Sequence, residues 1–474
     1  MVTKLNVLDG SWLLIESPRT PMHVAGLQVF KLPKDAPANF MRELFAWFRG
    51  FAVTAPPFNY RLQQSRLAKL SPAWETIGEK DLDMDYHVRH SALPAPGGER
   101  ELGVLISRLH SIPLDMSRPL WECHVIEGLE NNRFALYMKA HHSLLDGMAA
   151  VKITQSTLSE SPDAKNMPPP WARKIEPRAP RTDRVAVSPL NQLLAQLSAQ
   201  FKTVPGVYKS LSQLASAAMQ KSDTALVAPY TAPKCVLNGP IGGARRFATQ
   251  SYAFSRIRAL CDETGGTVND IVLAVCAGGL RRYLSEMNEL PDKPLIANLP
   301  VSVRPKDDEN AGNAISTMLV SLATDVVDVK ERLEAIRAST QKGKEHLQAM
   351  PRAAINNYTM LMMAPFMLGQ ITGFGARANR PMFNVVISNV PGPKKRLYLN
   401  GAEMEALYPV SLIFNGQALN ITVFTYADVL NFSYTADRAS LPHVQRLAVY
   451  TGEALAEMES VFGLAKKKKK KRAE

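Results

Sequence analysis

A chain of 474 residues exceeds the size of about 250–300 residues at which a single hydrophobic core stops growing, so we expect two domains. Hydrophobic residues make up 46% of the chain and charged residues 21%, values that are typical of a globular protein and exclude a disordered chain. The formal net charge is +13, of which residues 466–474 carry +6.

The cysteines and the apolar segments indicate the compartment. The cysteines are widely spaced and form no CxxC pair, so the sequence predicts neither a disulfide framework nor a metal site; they are Cys123, Cys235, Cys261 and Cys276. The first ten residues lack the apolar core of a signal peptide, and no run reaches the length of a membrane-spanning helix. We therefore expect a cytoplasmic protein.

Residues 1–160 are predicted to form a first domain of strands and helices. Apolar spacing predicts a short helix over 8–15, a strand over 25–30, an amphipathic helix over 40–51 and a helix over 102–109. His23 is interpreted as a packed or hydrogen-bonded histidine. The acidic stretch around Asp83 and His87 completes no ligand set, so we expect a loop or strand edge there.

Two apolar runs, 121–126 and 133–138, predict a strand hairpin with a longer loop over 127–133. Trp121, in the first run, is predicted to anchor the core near a crevice, and stacking on a substrate is the alternative. The second run leads into His-His-Ser-Leu-Leu-Asp-Gly at 141–147, and then into a helix over 148–158. The histidines therefore lie at the end of a strand.

The two histidines of this turn cannot share one role, because adjacent residues of an extended chain point to opposite sides. The outward-facing ring is a candidate general base, since imidazole takes a proton near neutral pH. Asp146 could orient the turn or pair with a buried arginine, and Gly147 leaves room for a close backbone or ligand approach. The alternative is a chance histidine pair followed by an ordinary Asp-Gly turn.

The composition changes over residues 161–238. Prolines interleaved with basic residues between Pro162 and Pro189 predict a linker or crossover segment. Residues 190–219 repeat Leu, Ala and Val at helical spacing and predict two helices. These helices would pack against the body of the protein or, alternatively, line an acyl path or lie on a membrane.

Residues 239–465 are predicted to form a second domain, in which a helix over 271–284 follows Asn269 and Asp270. Asn269 is interpreted as a helix cap, although an amide there could also donate to a developing oxyanion. The remaining elements are strands over 247–254, 295–303, 318–323, 383–388, 406–413, 419–426 and 430–434 and helices over 255–263, 327–338, 357–374 and 441–462.

Two further segments of this domain carry candidate site residues. Arg304 follows a predicted central strand and is a candidate partner for Asp146, because a buried carboxylate needs a cation; an exposed loop arginine is the alternative. Asn-Val-Pro-Gly-Pro at 389–393 predicts a rigid turn. The basic tail, residues 466–474, could bind anionic lipid or remain solvated; nucleic acid is disfavoured because no aromatic residues accompany the lysines.

These motifs resemble the bacterial wax ester synthase/diacylglycerol acyltransferase family. Residues 141–147 match the HHxxxDG motif of the CoA-dependent acyltransferase superfamily. The supporting segments occur in order along the chain: Pro21-Met22-His23-Val24, Pro119-Leu120-Trp121, Asn269-Asp270, Pro300-Val301-Ser302-Val303-Arg304 and Asn389-Val390-Pro391-Gly392-Pro393.

The resemblance implies an α/β fold of two pseudo-symmetric acyltransferase-like domains, with mixed sheets flanked by helices and an active-site tunnel at their interface. It implies transfer of a fatty acyl group from acyl-CoA, a co-substrate, to a long-chain alcohol or diacylglycerol, with no cofactor. It also implies attachment to the inner membrane or to lipid inclusions. A condensation-type enzyme using carrier-bound acyl groups and a non-catalytic lipid-binding protein remain as alternatives.

The resemblance also implies roles for single residues. His142 would be the general base, while His141 and Asp146 would hold the turn and Asn269 would be a transition-state donor. The expected substrate-site residues are Gly147, Trp121, Asn389, Pro391 and Gly392. Arg304 and Asp270 would be structural.

Overall fold

The computed structural model describes residues 2–5, 7–64, 72–145, 147–172, 225–302, 315–350, 352–372 and 380–465. Asp146, Arg304, the predicted helices over 190–219 and the basic tail lie outside these residues. Within them, two six-stranded sheets flanked by helices and one three-stranded sheet form the scaffold. The α/β class predicted from the sequence is therefore confirmed.

The strands of the two large sheets follow one another in blocks along the chain. In chain order the described strands are β1 (Val2–Lys4), β2 (His23–Lys31), β3 (Tyr60–Leu62), β4 (Ala73–Thr76), β5 (Val88–Ala92), β6 (Trp121–Leu129), β7 (Arg133–His141), β8 (Arg245–Ala253), β9 (Ile296–Ser302), β10 (Ile315–Ser321), β11 (Val385–Pro391), β12 (Tyr398–Leu399), β13 (Ala402–Val410), β14 (Leu419–Tyr426) and β15 (Val429–Asp437). The first sheet has the order β12-β13-β2-β7-β6-β5, and the second has the order β10-β9-β11-β14-β15-β8. The strands β1, β3 and β4 form the three-stranded sheet.

The helices of the described segments cover the two sheets. They are α1 (Val7–Ile15), α2 (Phe40–Arg49), α3 (Met84–His87), α4 (Glu99–Ser111), α5 (Gly147–Ser156), α6 (Phe254–Thr264), α7 (Val268–Glu286), α8 (Val329–Gln348), α9 (Arg352–Thr372) and α10 (Val444–Val461). Local signals set their ends: Gly265 closes α6 in the left-handed conformation, and the Asp328 carboxylate accepts two backbone N–H groups at the start of α8. None of these helices is long and apolar enough to cross a membrane.

Two local predictions were wrong. β6 and β7 run further than expected and pair from Trp121 to Leu129, so the hairpin loop is short rather than long. Asn131 and Asn132 permit this tight reversal because asparagine tolerates the positive φ that both adopt. The acidic stretch is the start of a helix rather than a loop, because the Asp83 carboxylate accepts the backbone N–H groups of the first turn of α3.

β13 joins the two halves of the molecule. It pairs with β2 and β12 in the first sheet, although β11, before β12 in the chain, and β14, after β13, belong to the second sheet. The predicted second domain, residues 239–465, therefore contributes strands to the sheet of the first. Phe424 at the end of β14 also packs into the cluster that contains Trp121. The two halves are therefore joined by strand pairing and by apolar packing.

Candidate active site

The histidine turn, residues 141–145, ends the central strand β7. His141 is buried, at 1% exposure, and lies directly opposite His23 of β2. Its Nδ1 lies 2.6 Å from the Ser143 hydroxyl and accepts the Ser143 backbone N–H at 3.1 Å. Its Nε2 lies 3.3 Å from a carboxylate oxygen of Glu16. His141 is thus fixed from both ring nitrogens.

His142 occupies a different environment. Its ring is half-buried and stacks on Trp12 of α1, with centroids 4.3 Å apart and planes 25° apart. Trp12 in turn stacks against Phe414, which follows β13, at 6.3 Å. The backbone N–H of His142 donates to the Met22 carbonyl at 2.8 Å. The ring therefore lies where α1 and the segment between β13 and β14 meet, and the two histidines face different surroundings, as predicted.

The sequence reading missed Trp12 and Glu16, which contact the two histidines. They lie four residues apart, at and just beyond the end of α1, and residues at this spacing share one face of a helix. One helix face thus touches both members of the histidine pair. The available signal was an aromatic residue in the last turn of the helix predicted over 8–15 and an acidic residue directly after that helix.

Trp121 is a core residue. Its side chain is fully buried, stacks on Trp171 at 5.0 Å and on His87 at 4.4 Å, and donates its indole N–H to the Phe58 carbonyl at 2.8 Å. This agrees with the core-anchor interpretation. A fully buried ring does not favour contact with a substrate, and the substrate-site assignment of Trp121 stays a prediction.

Thr267, rather than Asn269, caps α7. Its side chain accepts the Asp270 N–H at 3.3 Å, and the Asp270 carboxylate accepts the Thr267 backbone N–H at 2.9 Å. The capping interpretation of Asn269 is therefore wrong: a cap needs an extended backbone before the first turn, and Thr267 has it. Asp270 is the second member of this capping box, and it therefore stabilises the start of α7.

Asn269 is half-buried in the first turn of α7. The neighbouring end of α6 is held by Arg337 of α8, which donates to the Thr264 carbonyl at 3.3 Å and to the Gly265 carbonyl at 3.4 Å. This turn thus belongs to the helix layer of the second sheet, whereas the histidine turn lies at the end of the first sheet. A role for the Asn269 amide in catalysis stays a prediction.

The segment predicted as a rigid turn is largely strand. Asn389 and Pro391 pair in parallel with Val423 and Thr425 of β14, so β11 continues to Pro391 and the chain turns only at Gly392. A Cβ at Gly392 would collide with the Thr425 carbonyl and the Phe424 ring. Close packing of the backbone is therefore a sufficient reason for this glycine, and substrate contacts of this segment stay a prediction.

The remaining predicted residues flank the histidine turn. Gly147 is exposed and opens α5, and a Cβ there would meet nothing within 4 Å. Open space at this point is compatible with the approach of a ligand. Asp146 and Arg304 lie outside the described residues, so their pairing stays a prediction.

A buried layer of polar side chains lies next to the histidine turn. His23 donates through Nε2 to the His110 carbonyl at 2.9 Å, and the two rings meet edge-on at 4.6 Å. His110 accepts the Tyr137 hydroxyl at Nδ1 (2.9 Å) and donates through Nε2 to the Ser411 carbonyl (3.1 Å). This pattern requires a neutral His110, and it confirms that His23 is a packed, hydrogen-bonded residue.

Because His110 is buried in its neutral form, the free energy of unfolding should decrease at acid pH. Burial, with the charges of Arg245 and Lys139, lowers the pKa of His110 to about 3, whereas an unfolded histidine titrates near about 6.5. Between pH 6.5 and pH 3 the histidine is protonated in the unfolded chain but neutral in the folded protein. The stabilisation from neutral His110 is therefore fully present above pH 6.5 and is lost progressively as the pH falls towards 3. His110 should account for about 3 kcal/mol of this loss by pH 4.

We therefore expect His110→Gln to start less stable at pH 7 but to lose less stability between pH 6.5 and pH 4. Thermal unfolding midpoints at several pH values measure this slope. His443→Gln, at an exposed histidine before α10, is the control and should keep the wild-type slope. Parallel curves for wild type and His110→Gln would contradict the prediction.

A cavity of about 410 Å³ lies elsewhere, between the start of α6 and the turns that follow β11 and β14. Its lining includes Phe254, Arg258, Lys394, Arg396 and Asp428, and does not include the histidine turn. The tunnel that the motif resemblance implies stays a prediction.

Two interlocked α/β halves with an HHxxxDG histidine pair where they meet define an acyltransferase fold of the CoA-dependent type. Residues 5–272 match the family model of the wax ester synthase/diacylglycerol acyltransferase catalytic domain, and residues 311–459 match that of the WS/DGAT C-terminal domain. The chain therefore belongs to the wax ester synthase/diacylglycerol acyltransferase family and is an O-acyltransferase, which confirms the resemblance inferred from its motifs.

Individual relatives support this membership over the full chain. A putative diacylglycerol O-acyltransferase of Mycobacterium tuberculosis is 42% identical over 98% of both chains. O-acyltransferase WSD of Acinetobacter baylyi is 39% identical over 97% of both chains. The solved wax ester synthase/diacylglycerol acyltransferase of Marinobacter aquaeolei VT8 is 39% identical, with a TM-score of 0.78 over 98% of this chain and 100% of that one.

Proposed function

We propose that the protein moves a fatty acyl group from acyl-CoA to the hydroxyl of a long-chain alcohol or of diacylglycerol. The relatives named above are a putative diacylglycerol O-acyltransferase and the O-acyltransferase WSD, and the chain matches them along nearly its whole length. The single structural observation that carries the proposal is the position of His142, whose half-buried ring lies at the junction of the two halves while the neighbouring His141 is sealed in a hydrogen-bond network.

On this proposal His142 acts as general base. It takes the hydroxyl proton as the acceptor oxygen attacks the thioester carbonyl; the carbon–sulfur bond then breaks, and the proton leaves with the CoA sulfur. The products are one ester and free CoA. An alcohol is barely ionised at neutral pH, so a positioned base typically contributes about 10²- to 10⁴-fold. The thioester is already activated, so neither a cofactor nor an acyl-enzyme is required.

Ser143, His141 and Glu16 form an arrangement that superficially resembles a nucleophile triad. Two observations argue against this role. Ser143 is buried, at 5% exposure, and its hydroxyl faces Nδ1 of His141, the nitrogen that also receives the Ser143 backbone N–H. A second donor at the same nitrogen competes with proton transfer from the hydroxyl. We therefore assign Ser143 to the support of the turn.

Release of free CoA from palmitoyl-CoA tests the function directly. We expect release only in the presence of an acceptor, in amounts equal to the ester formed, across a series of alcohols and diacylglycerol. Release without an acceptor would indicate a hydrolase, and absence of release with every acceptor would indicate a lipid-binding protein. Transfer from carrier-bound palmitoyl groups but not from palmitoyl-CoA would indicate a condensation-type enzyme.

We further propose that the reaction takes place at a lipid surface, because both the acceptors and the ester product are poorly soluble in water. The basic tail, residues 466–474, would contribute about 1 kcal/mol per cation at an anionic surface. The same assay, with diacylglycerol presented in anionic or in neutral vesicles, should show faster turnover on anionic vesicles. A chain that ends at residue 465 should lose that difference; equal loss on both vesicle types would contradict a role for the tail.

A further inference from the structure

Glu16, directly after α1, contacts the end of β7 and the residue that precedes β2. One oxygen of its carboxylate lies 3.3 Å from Nε2 of His141 and also accepts the backbone N–H of Met22, at the start of β2. The Met22 carbonyl in turn accepts the backbone N–H of His142 at 2.8 Å. The Glu16 side chain therefore contacts the His141 ring directly and is connected to the His142 backbone through the backbone of Met22.

The hydrogen bonds around His141 fix the position of its ring proton. A backbone N–H can only donate, so the Ser143 N–H requires an unprotonated Nδ1. The ring proton must then lie on Nε2, where Glu16 is the acceptor. If the proton were on Nδ1, the Nδ1–H group would face the Ser143 backbone N–H. The hydrogen bond between Ser143 and His141 that closes the turn would then be lost. The conformation of the turn thus depends on one tautomer of His141.

We propose that Glu16 is a positioning residue, which holds His141 as the Nε2–H tautomer and thereby fixes the turn that presents His142 to the substrate. The inference rests on the proposed function, in which His142 is the base. In this proposal Glu16 acts through its contacts with His141 and Met22. The side chain is 13% exposed, so water competes weakly for its oxygens.

The neighbouring residue on the same helix face strengthens this assignment. Trp12, four residues earlier, stacks on the His142 ring at 4.3 Å, while Ile15 and Met22 pack in one apolar cluster with Trp12 at its edge. α1 therefore supports one histidine through an aromatic face and the other through a carboxylate. A small shift of this helix would move both rings.

Two substitutions separate hydrogen bonding from charge. Glu16→Ala removes the acceptor, and we expect kcat to fall by about 10- to 100-fold, because small displacements of a catalytic group have effects of this size, with KM for palmitoyl-CoA nearly unchanged. Glu16→Gln keeps an acceptor oxygen for both donors and should restore kcat to within a few-fold of wild type. Glu331→Ala, at an exposed position in α8, is the matched control and should leave kcat unchanged.

The tautomer can be measured without any turnover. In protein labelled with ¹⁵N-histidine, the two ring nitrogens give distinct shifts, and His141→Gln identifies the signals of His141. We expect the Nε2–H form of His141 in wild type and in Glu16→Gln, and a mixture of tautomers in Glu16→Ala. An unchanged tautomer in Glu16→Ala would overturn the proposal even if turnover fell, and so would a Glu16→Gln enzyme as slow as Glu16→Ala.

These outcomes are distinct from a failure of the proposed function. If His142→Ala retained turnover, His142 would not be the base, yet the tautomer of His141 and its dependence on Glu16 would be unaffected. Circular dichroism and thermal midpoints of each variant identify loss of folding. If Glu16→Ala does not fold, the tautomer and kcat of Glu16→Gln still decide the question, since both must remain close to wild type.

Discussion

Replacing His142 with alanine should lower kcat for ester formation by about 10²- to 10⁴-fold while the protein remains folded. The substitution removes the only step in the proposed mechanism that generates a competent oxygen nucleophile from an alcohol. It leaves the network of the buried His141 intact, because that network runs through Ser143 and Glu16. Free CoA and ester, measured together with palmitoyl-CoA and a saturating alcohol, quantify the loss.

The control for this experiment is His443→Ala, an exposed histidine far along the chain at the start of α10, which should keep full activity. The fold is checked by circular dichroism, since alanine also removes the ring that stacks on Trp12. Turnover by a folded His142→Ala protein within a few-fold of wild type would exclude His142 as the base.

Removing Glu122 should give the largest loss of stability, about 3–5 kcal/mol, because it leaves a buried cation without its partner. Glu122 and Lys139 lie on adjacent strands β6 and β7, with side-chain exposures of 3% and 1% and a separation of 3.1 Å. Burial alone would raise the pKa of Glu122, but the hydrogen bond from His124 and the charges of Lys139 and Arg89 lower it to about 2. Glu122 is therefore ionised in the fold, and its charge opposes the effect of burial, which lowers the pKa of Lys139.

The midpoint of urea unfolding measures this prediction in Glu122→Ala. The matched control is the pair Lys395 and Glu160, also close, at 2.6 Å, but with side-chain exposures of 72% and 59%, so Glu160→Ala should have little effect. The double variant Glu122→Gln with Lys139→Met should recover part of the loss, because it removes both charges. Equal effects of Glu122→Ala and Glu160→Ala would contradict the burial argument.

Sequence patterns predicted most helices and strands, because apolar periodicity, caps and turn residues depend only on neighbouring residues. Runs of apolar and aromatic residues predicted β14 with its observed bounds and placed β7, although β7 continues to His141. Gly265 marked the end of α6. The cap of α7 was placed two residues too late, at Asn269 instead of Thr267, since both residue types can cap and only the backbone conformation distinguishes them.

The sequence by itself determined the family, the α/β class and the two adjacent histidines at a strand end, because short motifs and periodicity contain that information. Only the tertiary structure decided that β13 pairs with the first sheet, that Trp121 is sealed in the core, and that α1 brings Trp12 and Glu16 to the histidine turn. Burial patterns indicate which face of an element is covered, whereas the identity of the covering residue depends on contacts between segments that are far apart in the chain.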